Sequence, residues 1–132
     1  MPRAEGTFDV DTWEERPLDE REGARLSRAH LTKTYRGGLT GTSTTDILIA
    51  LTPVAGSRGY VGLERFTGTL AGRAGTFVLQ HDAMGDRGEE WMTWRILADS
   101  GTGALRGIRG EGRVRIEGGV HRYHLDYAFA DD

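Results

Sequence analysis

Polar and apolar positions alternate with a period of two along most of the chain, and no segment sustains the i, i+3, i+4, i+7 apolar spacing of a helix over three turns. That alternation is what a strand shows when one face is buried and the other meets water. Residues 7–13 set Phe8, Val10 and Thr12 against Asp9 and Asp11. Two longer runs, 24–35 and 39–51, are rich in Thr, Leu and Ile and flank the turn Arg36-Gly37-Gly38, which predicts a hairpin. A meander follows, with strands expected over 60–70, 75–82 and 89–98. Beyond the glycine-punctuated stretch 100–112, strands are expected over 113–117 and 121–130. Between the first two strands, EERPLDEREG at 14–23 is charged and broken by Pro17 and Gly23, so it reads as a loop long enough to lie over one end of the domain as a lid.

The pattern therefore predicts an all-β chain of about eight strands, and residues 1–132 have the size of a single domain. Glycine makes up 20 of the 132 residues without any collagen-like period, which favours many tight turns and short strands. Eight antiparallel strands can close into one barrel whose interior is filled by side chains or holds one small ligand; a two-sheet sandwich is the alternative.

Composition narrows the chemistry. A net charge of -3 offers no field to gather nucleic acid or an anionic membrane, so neither is an expected partner. With no cysteine there are no disulfides, thiolate metal sites or cysteine nucleophile. The first residues lack the apolar core of a secretory signal and no run is long enough to span a bilayer, so a cytoplasmic location is the expectation. Sixteen of the seventeen basic residues are arginine, a bias that reads as genome composition.

Candidate chemistry concentrates in the hairpin Tyr60 to His81. If Leu70 pairs with Arg73 across a two-residue turn, Phe66 faces Phe77, Gly68 faces Gly75, and Glu64 and His81 become diagonal neighbours on one face. That face also carries Tyr60 and Leu79, so it is too apolar to be the wet side. A carboxylate and an imidazole turned inward are costly unless paired, and such a pair suits general acid/base work; the alternative is a buried pair that only satisfies itself. In the last strand Tyr123, Leu125, Tyr127 and Phe129 share one face, which should point inward. With Trp94, in phase with Met92 and Ile96, these aromatic groups are candidate ligand walls as well as candidate core. A metal site is not expected, because His121 and His124 lie three apart in a strand and face opposite sides. GTGALRG at 101–107 lacks the features of a phosphate loop and reads as a structural turn, and Arg106, Arg109, Arg113 and Arg115 read as a solvated face.

The segments GTFDVDTWEE, LTKTYRGGLTGTST, YVGLERFTGTLAGRAGTFVLQH, SGTGALRGIRGEG and HRYHLDYAF together resemble bacterial domain-of-unknown-function family 3224 over nearly the whole chain. That family resembles the eight-stranded allene oxide cyclase barrels and, more distantly, the dirigent proteins. The resemblance implies the closed barrel and a cavity that holds a flexible apolar substrate in one conformation, as natural-product cyclases do. It carries over no catalytic residue.

Two function classes follow. The first is a barrel that binds a small apolar molecule and cyclises or isomerises it without cofactor or metal, with Glu64 and His81 as the catalytic pair and Phe66, Phe77, Trp94, Tyr123 and Tyr127 as ligand walls. The second is a non-catalytic ligand-binding or interaction barrel whose interior is packed core. A homo-oligomer fits either one.

Overall fold

The computed structural model describes residues 1–130. Eight antiparallel strands, each bonded to its neighbours in chain order, close into one barrel: β1 (Arg3–Arg21), β2 (Ala24–Gly37), β3 (Leu39–Leu51), β4 (Arg58–Leu70), β5 (Arg73–Asp86), β6 (Glu89–Ile96), β7 (Ile108–Glu117) and β8 (Val120–Phe129). Among the described residues the helical content is a single 3-10 turn, Gly103–Leu105. β8 closes the barrel on the first half of β1, with Arg3 to Phe8 paired against Asp126 to His121.

Turn chemistry sets this register. Leu70 pairs with Arg73, and the two residues between them both have positive φ (Ala71 52°, Gly72 77°), the twist that suits a tight hairpin. Arg87-Gly88 and Gly118-Gly119 do the same for β5–β6 and β7–β8. Phe66 therefore faces Phe77, Gly68 faces Gly75, and the inward series of β4 and β5 fall into phase.

Two expectations are corrected. Residues 14–23 are not a loop or a lid: β1 runs unbroken for 19 residues to Arg21 and pairs with β2 up to Ala24, with the turn confined to Glu22-Gly23. Pro17 is tolerated because β1 beyond Phe8 is an edge strand, bonded on one side only, and Pro17 sits next to a bulge between itself and Asp19. A second bulge lies between Val10 and Thr12, and a bulge locally bends and twists its strand. Glu15 ties the ribbon together, accepting from Trp13 Nε1 (3.0 Å) and Ser27 Oγ (2.8 Å). Second, the stretch 100–112 is only half a turn region, since Ile108 begins β7 and pairs with Phe129.

The two ends of the barrel differ. At one end Leu39, Leu70, Leu105 and Ile108 are wholly buried, and the β6–β7 connection folds across them, held by Thr102 N–H to Thr76 O (2.8 Å). Glycine is required there. Gly41, Gly68 and Gly75 form one cross-strand row, and a Cβ on Gly75 would stand 2.0 Å from the Thr102 carbonyl oxygen. At the opposite end the inward residues Val10, Ile49, Tyr60, Ala83, Met92, Val114 and His121 are only half-buried, so this is the mouth. Its wall is cleft at one place: β6 and β7 pair only at Trp94–Gly112 and Arg95–Glu111.

Candidate functional site

The register of β4 and β5 puts Glu64 opposite Leu79 and His81 opposite Gly62, so the two polar residues are inward diagonal neighbours, as the hairpin pattern predicts. Glu64 is wholly buried and His81 is 4% exposed. His81 Nε2 lies 2.7 Å from Glu64 Oε1.

The carboxylate is not paired with His81 alone. Lys33 of β2 donates from Nζ to the same Oε1 (3.1 Å), while Tyr35 Oη (2.6 Å) and Ser43 Oγ (2.5 Å) donate to Oε2. Burial by itself would raise the Glu64 pKa; the Lys33 ammonium, then His81 and Ser43, overcome it and hold the carboxyl well below its usual range. Glu64 is therefore an ionised group with both oxygens saturated, and its free basicity is spent. Burial beside that charge pushes the Tyr35 phenol well up, which keeps it a neutral donor, and the half-buried Tyr60 phenol is raised for the same two reasons.

The proton on His81 follows from its contacts. Trp94 Nε1, which can only donate, also approaches Nε2, at 3.2 Å. One nitrogen cannot both accept from Trp94 and donate to Glu64. The shorter, charge-assisted contact to an ionised carboxylate prevails, so Nε2 carries the hydrogen, and in the neutral form of the ring the lone pair is on Nδ1. Glu64 thus fixes the tautomer and His81 Nδ1 is the basic atom. Beside them, Thr45, the cross-strand partner of Glu64, has a buried hydroxyl with no hydrogen-bond partner.

The other expected site residues divide. Trp94 is wholly buried and touches the dyad. Phe66 and Phe77 are wholly buried against each other (ring centroids 5.2 Å apart) in the packed core. Tyr123 accepts from Leu39 N–H (2.8 Å) and donates to Arg36 O (2.9 Å), so its hydroxyl ties β8 to the β2–β3 turn. Tyr127 packs against Phe129, opposite Gly110. Lys33, Tyr35, Ser43 and Thr45 were not singled out by the sequence reading. The signal was present in β2, where Lys33 stands in phase with the apolar inward residues Ala29, Leu31 and Tyr35.

Two surface pockets are evident. One of about 460 Å³ is lined by Met1, Arg95, Ile96, Gly110, Glu111 and Asp126, and the other, of about 260 Å³, lies by Arg21, Ala24, Arg25, Leu51, Thr52 and Pro53; neither is lined by the Glu64 cluster. Among the described residues no three His, Asp or Glu side chains converge as a metal site, and no helix is long and apolar enough to cross a membrane.

No curated protein matches the chain. A solved structure from Shewanella oneidensis MR-1, described as a protein with unknown function from the DUF3224 family, is similar at 34% identity with a TM-score of 0.89, covering 100% of this chain and 99% of its own. The sequence profile described as "Protein of unknown function (DUF3224)" matches residues 4–127, and the chain belongs to that family.

Proposed function

We propose that this barrel binds a small, largely apolar molecule at its mouth and isomerises or cyclises it by proton transfer at His81, without metal or cofactor. The observation that carries the reading is the Glu64 cluster: a buried, ionised carboxylate that accepts four hydrogen bonds and thereby sets one imidazole tautomer. Structural packing alone does not need such an arrangement, since apolar residues of similar volume are usually at least as stable. In this reading His81 Nδ1 removes a proton from carbon next to a carbonyl, and Glu64 stabilises the imidazolium that results. Trp94 bounds the ring on one side, and Tyr60 with Met92 supplies apolar wall at the mouth. The likeness to allene oxide cyclase barrels, whose substrates are flexible and apolar, supports the same class.

A second reading, a non-catalytic barrel, is favoured by one observation. Phe66, Phe77, Leu79 and Trp94 have no exposed surface, so the interior below Glu64 is filled. Isomerisation of 3-cyclohexenone to its conjugated isomer, followed by ultraviolet absorbance, separates the two. Proton transfer predicts a rate above buffer that is lost in His81→Gln; equal rates in both proteins would leave the non-catalytic barrel.

A further inference from the structure

We propose that Lys33 captures the carbonyl carbon of an aldehyde or ketone as an iminium ion paired with Glu64. The inference rests on the mouth being a ligand site and names the class of ligand it takes.

Lys33 is the only lysine in the chain, against sixteen arginines, and it is 5% exposed, inside the barrel. A buried carboxylate is better served by arginine, whose planar fork binds both oxygens and is more weakly hydrated. What lysine offers in its place is an amine that can give up a proton and attack carbon. An arginine-rich chain that keeps its one lysine at its most buried charged site therefore points to amine chemistry. The surroundings suit it. Nζ lies 3.1 Å from Glu64 Oε1 and 4.6 Å from the centre of the Phe8 ring, two contacts that stabilise a cation on nitrogen. Val10, the half-buried cross-strand partner of Lys33, lines the mouth.

The step balances. The Lys33 ammonium releases one proton to water, and the free amine attacks the carbonyl carbon; the C–N bond forms as the carbonyl π pair moves to oxygen. A second N–H proton moves to that oxygen to give the carbinolamine, and a proton returned by water lets the oxygen leave as water while the nitrogen lone pair forms the C=N bond. Ammonium and iminium carry the same single positive charge, so Glu64 has the same counter-ion before and after and no buried charge is created. The unpartnered Thr45 hydroxyl supplies a hydrogen bond for the carbonyl oxygen.

The test uses the intact protein, octanal and sodium cyanoborohydride, with peptide mapping by mass spectrometry. The expected result is reductive alkylation at Lys33, besides the N-terminal amine, at least ~10-fold faster in the folded protein than in the urea-unfolded chain, a small part of what held geometry can supply. Lys33→Arg keeps the charge and should leave only the N-terminal adduct. Binding is followed by Trp94 fluorescence in a Trp13→Phe, Trp91→Phe background. If octanal binds but the folded protein shows no adduct at Lys33, the iminium proposal is overturned while the mouth remains a ligand site. If octanal does not perturb Trp94 and no adduct forms, both readings fall.

Discussion

Removing the Lys33 ammonium tests the energetic core of the site. In Lys33→Met the side chain keeps its length and apolar stem, but Glu64, with no exposed surface, loses the cation that holds its charge. Tyr35 and Ser43 still donate to Oε2, so the loss falls on Oε1. Stranding one partner of a buried pair costs about 3–5 kcal/mol. For a domain of this size each kcal/mol moves the melting temperature by roughly 3–6 °C, so a fall of about 10–30 °C is expected. Glu64→Gln strands Lys33 instead and presents an amide N–H₂ to donors, so it too should destabilise. The double variant Lys33→Met, Glu64→Gln removes both charges and should recover much of the loss, with a coupling energy of about 2 kcal/mol or more. Urea unfolding of the four proteins under one set of conditions measures this. A coupling near zero would refute the argument, because it would mean that Lys33 and Glu64 do not sense each other and that the carboxylate is held by hydroxyls alone.

The same network makes acid stability predictable. Because the folded-state pKa of Glu64 is depressed, its contribution is fully present above the ordinary value of 4.5 and is lost as pH falls from there toward the folded value. Glu64→Gln should flatten that part of the stability profile in urea titrations run from pH 6 downward; an unchanged slope would exclude Glu64 as the source. Long-range ¹⁵N–¹H NMR of the neutral His81 ring should show Nε2 protonated and Nδ1 bare, and the opposite tautomer would remove Nδ1 as the base. Gly75→Ala should cost about 1–3 kcal/mol as an overpacked substitution, because the new Cβ meets a backbone carbonyl, whereas Gly59→Ala, whose Cβ would be 3.2 Å from its nearest atom, should cost less. Equal losses would show that the glycine row does not shape the closed end.

The hairpin geometry was legible because period-two alternation and a two-residue turn leave no freedom. Once Leu70 pairs with Arg73, Glu64 and His81 must share a face. What the hairpin could not show is which other strands deliver polar groups to that face. Lys33, Tyr35 and Ser43 come from β2 and β3, and only the register of the β2–β3 and β3–β4 pairs, with Lys33 opposite Ser43 and Thr45 opposite Glu64, brings them to the carboxylate. Arginine bias hid Lys33 as well, since a basic residue in a Thr-rich strand looks solvated until its parity is compared with Ala29, Leu31 and Tyr35. Residues 14–23 misled for a different reason: a proline and a charge run mark a loop in a central strand, but an edge strand tolerates both. For the aromatic residues the face was right and the surroundings were not, because alternation tells inside from outside but not a packed interior from an open one.

That free edge of β1 has a consequence for how copies of this protein meet in solution. From Asp9 to Arg21 one side of the strand presents unused N–H and C=O groups, a template on which another chain could add a strand and begin an aggregate. The stretch carries Asp9, Asp11, Glu14, Glu15, Asp19 and Glu20, so a second copy aligned against it would set carboxylates beside carboxylates. Its two bulges break the flat register such stacking needs, and Pro17 removes one donor. The features that disguise the segment as a loop thus keep a long exposed strand from recruiting its own kind, and the electrostatic part of that protection disappears once the carboxylates are protonated.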